Sequence, residues 1–519
     1  MRSTISSNLC AWVRCATALG LVLMTPLTLA SAEKRVTVPI ALPFQNSSST
    51  AASVAAVQAD LSAANAVQPM AFTQAPALVP AAASSSAPAL IPVAIASSAV
   101  ASSAAAEPAP VAAPVVAEST PATPAPVAVE PEEPSSAVAI PLVTTAPIKA
   151  PRYPVGHPEA FVPEFEDYIA KKVAPFVPGV AVVIVSGGQI KSLNGYGVRR
   201  AGTRETVTPD TVFRLASLSK SFAATAASVL VHEGGISWDT TVTSVLPDVV
   251  FKNARYGKEL TLRHALSQSS GLPRHTYTHY IDENMGWADI VARLRYVNFV
   301  CPPGKCFAYQ NVMYSLAGDM IKKKAGMSFE KYTEQKVLDP LGMRSASYGL
   351  NNYNASPNRA APHVNNGKRW IPTSVVANWY RVAPAAGVNA SIVDMSRFLL
   401  AQLGKRQDVL PFAVLNPIQS RVTKNTPAQN YYGVRKGVGN TAYGMGWRVF
   451  DYGRNKNFIH HGGHVKGFRT EMVFNRDLQI GMVFLSNSET RLARDVIFKF
   501  LESYDRAQDA AREAAKKKK

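Results

Sequence analysis

Hydrophobic positions in the middle of the chain follow two different periods. The stretch "PGVAVVIVSGGQIKSLNGYGVRR" contains two β-rich runs, and the SGG turn signal at 186–188 between them predicts a hairpin. The next apolar stretch, "AATAASVLVHEGG", is rich in alanine and predicts a helix that stops at Gly234 and Gly235. Between about 240 and 400, further helical patterns such as "SIVDMSRFLLAQLG" are separated by loops.

Strand-like runs return near the end of the chain. They are "YGMGWRVFDY", "NFIHHGG", "FRTEMVF" and "QIGMVFLSN", with an NRD turn signal at 475–477 before the last of them. The segment "ARDVIFKFLESY" places Val496 and Phe500, and also Ile497 and Leu501, four residues apart. This spacing predicts a closing helix with one apolar face.

Strands at both ends with helices between them predict the fold class. We expect an α/β (α+β) fold in which an antiparallel β-sheet, flanked by helices, is built from both ends of one domain around an inserted, mainly helical region. The domain should span residues 153–505. A cleft between the sheet and the insertion is the expected place for a functional site.

The first 152 residues have a different composition. Residues 1–32 combine Arg2 and Arg14 with the apolar run "ATALGLVLMTPLTLA", which predicts a secretory signal peptide and an exported, periplasmic or similar, location. An uncleaved N-terminal anchor is the alternative. Residues 33–152 are dominated by Ala, Pro, Ser and Val and predict a disordered tether. No later run approaches about 18 apolar residues, so no transmembrane domain is expected after the signal.

The formal charge of +19 first suggests a nucleic-acid partner. No zinc finger, RNA-recognition signature or basic helix with interleaved aromatic residues accompanies that charge, so we expect no nucleic acid and favour an anionic cell envelope. The basic tail 506–519, which ends in "AAREAAKKKK", predicts either a solvated helix or an electrostatic docking element.

Two cysteines lie outside the predicted signal peptide. Cys301 and Cys306 enclose the stretch "CPPGKC", and in an oxidising compartment this spacing predicts a small disulfide loop. A metal site is the alternative, but it would need further ligands close by in the sequence. The loop lies directly before the stretch "FAYQN".

The stretch "DTVFRLASLSKSF" places Ser217 three residues before Lys220 at a predicted helix start. Residues at this spacing share one helix face, so the amine can sit beside the hydroxyl. A neutral lysine can take the serine proton, but an ordinary pKa of about 10.4 leaves roughly one molecule in 2,500 neutral at pH 7. Burial and nearby positive charge must therefore lower that pKa. Spacing alone is weak, because Ser328 and Lys331 show it too, in an ordinary amphipathic pattern.

Further motifs give the serine and lysine a context. "FAYQN" supplies Tyr309-x-Asn311, and "HHGGHVKGF" supplies His461-Gly462-Gly463 in a late strand-like run. In this order the motifs resemble the serine β-lactamase and penicillin-binding protein superfamily, specifically its class C-type branch. The resemblance covers about residues 155–505 and includes "LTLRHALSQSSGLP", "APAAGVNASIVDMSRFL" and "LDPLGM".

The resemblance implies a role for each catalytic residue. Ser217 would attack an amide carbonyl and become acylated, Lys220 would act as its base or hold the proton network, and Tyr309 would relay the proton to the leaving nitrogen and later help to activate water. A packed aromatic with a bonded hydroxyl is the alternative for Tyr309.

The resemblance also implies substrate contacts. Asn311 would bind a substrate amide, or else only order its loop. The backbone N–H groups of Ser217 and His464 would form the oxyanion hole. Gly462 and Gly463 would let substrate lie against the strand edge next to His461.

The histidines in "HHGGH" have a second interpretation as a metal site. His460 and His461 are adjacent, so on a strand they point to opposite faces, and the glycines disfavour a helix that would bring His464 round. We therefore expect no metal and no cofactor, with His460 a core or surface histidine. The sequence also contains neither the G-x-S-x-G nor the H-E-x-x-H signature of other hydrolases.

One departure from the family pattern bears on the substrate. Class C β-lactamases usually carry lysine where His461 stands, whereas related D-alanyl-D-alanine carboxypeptidases, D-aminopeptidases and some esterases often carry H-x-G. A partly charged histidine holds a carboxylate less firmly than lysine does. Arg469 could supply the missing charge, or could be a salt-bridged surface residue.

Three hypotheses about activity follow. The first is an exported serine hydrolase acting on β-lactams or on D-alanine-containing peptidoglycan peptides. The second is an esterase on the same scaffold. The third is an envelope-binding protein that senses ligands without turning them over.

Overall fold

The computed structural model describes residues 146–424 and 431–518. The predicted signal peptide and the part of the predicted tether up to residue 145 lie outside these ranges. The strands are β1 Gly179–Ser186, β2 Gln189–Gly197, β3 Phe213–Arg214, β4 Ser347–Tyr348, β5 His363–Asn365, β6 Trp370–Pro372, β7 Val388–Ala390, β8 Thr423–Lys424, β9 Val438–Tyr443, β10 Arg448–Tyr452, β11 Asn455–Val465, β12 Phe468–Asn475 and β13 Ile480–Ser486.

The helices alternate with loops through the middle of the chain. They are α1 Phe161–Tyr168, α2 Ser219–His232, α3 Val242–Val245, α4 Ala254–Glu259, α5 Leu262–Leu266, α6 Thr278–Asp282, α7 Trp287–Ala292, α8 Val312–Ala325, α9 Phe329–Thr333, α10 Gly349–Ala355, α11 Ala383–Ala386, α12 Ile392–Gln402, α13 Phe412–Gln419 and α14 Ala493–Lys517.

The main sheet joins the two ends of the domain. Its eight strands lie in the order β2-β1-β13-β12-β11-β10-β9-β8, and neighbouring strands are antiparallel. The N-terminal hairpin β1–β2 pairs with β13, with Val183 opposite Val483. The sequence-based fold class, an antiparallel sheet built from both ends with an inserted helical region, is confirmed.

The two faces of the sheet bury different layers. Along β1, Val180, Val182 and Ile184 belong to a core with α1 and α14, while the alternate positions Ala181 and Val183 belong to the larger core under the helical region. Both sets are fully buried, because β1 lies between two layers. This is why its sequence is a continuous apolar run rather than an alternating one.

Helix α2 runs through the larger core. Residues Ser219–Leu230 are all buried, and small side chains such as Ala223, Ala224, Ala226 and Ala227 let neighbouring helices approach it closely. A helix that is buried on all sides has no polar face to show in its sequence. Its first turn therefore brings polar groups into the protein interior, next to the sheet.

Contacts with the sheet and its helices continue on both sides of residues 153–505. The backbone of Ile148 pairs with that of Leu193, ahead of residue 153. Helix α14 continues without a break across residue 505, and Ala507 is buried against α1's side of the sheet. Within the described ranges, no helix combines the length and the hydropathy needed to cross a membrane.

Candidate active site

Ser217 lies on a strained turn. It occupies the 3-10 segment Ala216–Leu218 directly before α2, and Ala216 has a φ of 50°, a left-handed value that non-glycine residues rarely adopt. Neighbouring strands hold the turn, because the Leu215 N–H donates to Val388 O at 2.9 Å and Thr470 Oγ1 donates to Leu215 O at 2.9 Å. Such strain persists only where the surroundings enforce it, and it often marks functional sites.

Lys220 reaches Ser217 from the first turn of α2. Its side chain is fully buried, and Nζ lies 3.3 Å from Ser217 Oγ, 2.8 Å from Asn311 Oδ1 and 3.1 Å from Ala385 O. Two of these partners can only accept hydrogen bonds. A neutral amine would donate one N–H to each of them and keep its lone pair for the Ser217 hydroxyl proton.

The surroundings of Lys220 favour that neutral form. Burial lowers the pKa of Lys220 below its ordinary value, and the positive charge of Arg448 lowers it further, while Tyr309 works in the opposite direction. A lowered pKa of Lys220 was expected to need both burial and a neighbouring cation, and both are present in the structure.

Tyr309 lies on the other side of the amine. Lys220 Nζ is 4.9 Å from the centroid of the Tyr309 ring. Burial by itself would raise the pKa of Tyr309, but the charges of Lys220 and Arg448, with hydrogen bonds to Ser217 and Lys220, hold that pKa below its ordinary value. A phenol with a lowered pKa gives up and recovers a proton readily, as a proton relay must.

Asn311 links Lys220 to the opposite wall of the site. It precedes α8 and is 4% exposed. Its Oδ1 accepts from Lys220, and its Nδ2 donates to Thr278 Oγ1 at 3.3 Å. In this structure the amide orients the lysine.

The predicted disulfide is confirmed, since Cys301 and Cys306 are bonded. The Gly304 N–H within the loop donates to Ser269 O at 2.7 Å, and the Val300 N–H just before it donates to Gly271 O at 2.8 Å. The loop is thereby docked three residues before Tyr309.

Strand β11 presents an open edge beside Ser217. Strand β10 begins at Arg448, which pairs with His460, so residues 461–465 of β11 pair only with β12 among the described strands. A two-residue turn at 466–467 closes the β11–β12 hairpin, which makes Val465 and Phe468 the bonded pair. Alternation then points the His464 N–H away from β12 and toward the open edge.

A Cβ on either glycine of the motif would meet close contacts. A Cβ on Gly463 would lie 2.2 Å from Leu215 O and 3.2 Å from Ala216 Cβ, so β11 packs directly on the Ser217 turn. A Cβ on Gly462 would lie 2.4 Å from Glu471 Oε2. A larger residue at Gly463 would require a shift of the backbone, whereas one at Gly462 would require the Glu471 carboxylate to move.

Comparison with known proteins agrees with this arrangement. A sequence model of the family described as Beta-lactamase matches residues 165–499, more than half of the chain. The chain belongs to the beta-lactamase family. The match is to the family as a whole, and the class C-type branch stays a prediction.

The relatives of this beta-lactamase family chain are distant. The unguisins hydrolase ungD' of Aspergillus campestris is 27% identical over 322 residues, covering 60% of this chain and 59% of that protein. Protein flp of Staphylococcus aureus is 24% identical over 316 residues, covering 60% of each. The chain thus spans about 60% of the length of these relatives.

A solved structure supports the fold. The octameric penicillin-binding protein homologue from Pyrococcus abyssi superposes with a TM-score of 0.56 at 24% identity, covering 65% of this chain and 77% of that one. At this identity the likeness concerns the fold, and the catalytic roles have to be argued from the residues of this beta-lactamase family member.

The environment of His461 differs from the one expected for a partly charged imidazole. His461 is 1% exposed, and burial, with Arg448 and Lys220 nearby, holds its pKa well below the ordinary value. Its Nε2 contacts Tyr443 Oη at 3.0 Å, and Nδ1 contacts Gly462 O at 2.8 Å. Burial therefore favours a neutral imidazole where the sequence led us to expect a partly charged one, since the sequence does not show this burial.

His460 is a core residue. Its Nε2 lies 2.8 Å from Glu471 Oε2, and its Nδ1 lies 2.9 Å from Tyr432 Oη. Both ring nitrogens are thus engaged with protein groups on the face of the sheet opposite to that of His461.

Arg448 is the functional residue that sequence reasoning missed. Its guanidinium carbon lies 4.5 Å from the ring centroid of Tyr431 and 5.5 Å from those of Tyr309 and Tyr443. The side chain is 8% exposed, and its Nε has no hydrogen-bond partner within the described part of the chain. The sequence feature that could have indicated Arg448 is a single arginine inside the apolar run "GMGWRVF".

Arg469 is not among the charges that shift the pKa of Lys220 or Tyr309. It lies on β12 opposite His464, half-buried, and forms no ion pair with any described acidic residue. Its Nε is also without a partner among the described residues. Arg448, rather than Arg469, is the cation beside Tyr309 and Lys220.

The neighbouring serines have structural contacts. Ser219 Oγ accepts from the Val388 N–H at 3.0 Å, and Ser221 Oγ donates to Leu218 O at 2.7 Å. Ser328 caps α9 by accepting from the Lys331 N–H at 3.1 Å. As predicted, the second serine–lysine pair belongs to an ordinary helix start.

Proposed function

We propose that this chain is a serine acyl hydrolase that acts through an acyl-Ser217 intermediate on β-lactams or on D-alanine-containing peptides. The observation that carries the proposal is the contact between Ser217 Oγ and a buried Lys220 whose pKa is lowered, next to an open strand edge. A serine without such a base is a poor nucleophile.

The proton movements can be followed atom by atom. Lys220 Nζ takes the Ser217 hydroxyl proton as Oγ bonds to the carbonyl carbon, and the backbone N–H groups of Ser217 and His464 stabilise the resulting oxyanion. Tyr309 donates its phenol proton to the leaving nitrogen as the C–N bond breaks, and recovers a proton from Lys220. Water then hydrolyses the ester: as its oxygen bonds to the acyl carbon, Tyr309 relays one water proton to Lys220 Nζ, and that proton passes to Ser217 Oγ as the bond between Oγ and the acyl carbon breaks.

Arg448 favours substrates that carry a carboxylate. It is a buried guanidinium among aromatic rings, with an Nε that finds no partner in the described chain. Penicillins and peptides that end in D-alanine both present a carboxylate close to the reacting bond, whereas simple esters present none. A planar carboxylate is the natural acceptor for a guanidinium.

Replacing Arg448 with methionine tests that assignment. Removing the cation raises the pKa of Lys220 and of Tyr309, so the rise of the acylation rate with pH, which follows Lys220 deprotonation, should move to higher pH. KM for a carboxylate-bearing substrate should rise on the order of 10-fold to 100-fold. Arg448→Lys, which keeps the charge, should move the pH profile less.

An ester without a carboxylate is the matched substrate control. Its KM should change little in Arg448→Met. An equal loss for both substrates, or an unmoved pH profile in steady-state assays between pH 5 and 10, would contradict the role given to Arg448.

Export is part of the proposal, because peptidoglycan peptides and β-lactams are met outside the cytoplasm. It is supported by the signal-peptide pattern of residues 1–32 and by a disulfide, which persists in oxidising compartments. The charge of +19 would favour an anionic envelope as surroundings.

Burst and steady-state kinetics on three substrates test the function. A D-alanyl-D-alanine peptide, a cephalosporin and a short acyl ester would be compared with the purified chain. We expect acylation by the first two, with the ratio of burst to steady state showing whether deacylation is fast. Turnover of the ester alone would favour the esterase, and binding without acylation would favour a sensor.

A further inference from the structure

Gln268 makes an unusual set of bonds next to the site. It lies in "LSQSSGL" and is 1% exposed. Its Oε1 accepts from the Gln310 N–H at 2.6 Å, and its Nε2 donates to Gln310 O at 3.1 Å. One side-chain amide thus pairs with both backbone groups of a single loop residue.

A backbone hydrogen bond also connects Gln268 to Ala308, the residue before Tyr309. The backbone C=O of Gln268 accepts from the Ala308 N–H at 2.8 Å, and Tyr309 O accepts from the His275 N–H at 2.9 Å. The segment 307–310 belongs to no helix or strand. The backbone on both sides of Tyr309 is therefore fixed by Gln268.

The Gln268 side chain also approaches a second site residue. Burial raises the pKa of Tyr443, and a hydrogen bond with Gln268 acts against that rise. The Tyr443 hydroxyl lies 3.0 Å from His461 Nε2. Gln268 thus connects the Tyr309 loop to the histidine of the β11 motif.

The backbone of Gln268 shows that this position is constrained. Its φ is 60°, in the left-handed region, where glycine or asparagine would be the ordinary residue. A glutamine in that conformation costs free energy that its surroundings must offset. In this conformation Gln268 makes the three bonds around Tyr309.

We propose that Gln268 is a positioning residue for acyl transfer, whose amide holds the Tyr309 phenol within reach of Ser217, Lys220 and Arg448. It acts through Tyr309 and does not itself contact substrate. This inference rests on the proposed function, because it assigns Gln268 a part in the proton relay of that same site.

The test compares two buried glutamines. Gln268→Met keeps side-chain length and loses the amide bonds. Gln419→Met, a control in α13, loses bonds to Gln402 Oε1 at 2.8 Å and to Gln402 O at 3.2 Å, far from Tyr309 in the chain. We expect Gln268→Met to lower kcat on the order of 10-fold to 100-fold with KM little changed, since small misplacements of catalytic groups cost this much. Gln419→Met should keep wild-type kcat.

A second readout does not depend on activity. Ultraviolet titration of tyrosine ionisation, taken as the difference from Tyr309→Phe, isolates the Tyr309 transition. Its midpoint should rise in Gln268→Met, because the displaced phenol loses the Arg448 charge and the hydrogen bonds to Ser217 and Lys220 that lower its pKa. If Gln268→Met does not fold, Gln268→Gly, which tolerates the left-handed φ, removes the same amide.

The outcomes separate the two proposals. Wild-type kcat together with an unmoved Tyr309 midpoint in the Gln268 variants would overturn the positioning role. Absence of acylation in the wild type would instead refute the proposed function, while the tyrosine titration would still decide for or against Gln268.

Discussion

Replacing Ser217 with alanine is expected to lower acylation and turnover on the order of 10⁴-fold or more, leaving no covalent adduct. The Oγ atom is the only atom that the substitution removes, and it is the atom that Lys220 Nζ contacts at 3.3 Å. Ser217 is half-buried and the substitution leaves the backbone hydrogen bonds of its turn in place, so the free energy of unfolding should stay within about 1 kcal/mol of the wild type. Stopped-flow acylation and thermal unfolding would measure both effects.

Ser328→Ala is the matched control. Ser328 has the same spacing to Lys331 but caps α9. Its loss should cost about 1 kcal/mol of stability and leave acylation unchanged. If Ser217→Ala retained acylation, or if both variants lost it equally, the nucleophile would have to be sought elsewhere.

Replacing Lys220 with methionine should lower acylation on the order of 10³-fold without destabilising the fold. The amine lies 3.3 Å from Ser217 Oγ, and a positioned general base contributes roughly 10²-fold to 10⁴-fold. Because Lys220→Met removes the desolvation cost of a buried amine, which offsets the loss of a donor to Asn311 Oδ1 and Ala385 O, the free energy of unfolding should stay close to that of the wild type. Urea unfolding and burst kinetics measure the two quantities.

Arginine at the same position separates charge from basicity. Lys220→Arg places a permanent cation at this position. Because a guanidinium does not deprotonate, acylation should remain low at every pH. Lys331→Met in α9 should leave the rate unchanged. Recovery of activity in Lys220→Arg would show that Lys220 serves only as a positive charge.

The fold was predictable where the spacing of hydrophobic residues alone decides whether a segment forms a helix or a strand. The hairpin β1–β2, the alanine-rich α2 and the late strands follow from apolar runs and glycine turns. Strand order and strand ends were not predictable, because they depend on contacts between distant segments. That β10 begins at Arg448, and so leaves the β11 edge open, is such a feature.

The site was predictable as far as its motifs extend. Ser217, Lys220 and Tyr309 come from short patterns in a fixed order, and the structure brings them together. Arg448 was missed because its side chain reaches the site only through the pairing of β10 with β11, about a dozen residues before His461. The neutral state of His461 depends on burial, which no local pattern encodes.

Mass spectrometry of the acylated protein tests the central claim most directly. The purified chain would be incubated with benzylpenicillin, quenched in acid and digested with trypsin, which releases residues 215–220, "LASLSK", as one peptide. Fragmentation distinguishes Ser217 from Ser219 within it. We predict one penicilloyl group, on Ser217, and none in Ser217→Ala. An adduct on another residue, an adduct that survives in Ser217→Ala, or no adduct at all would contradict the account.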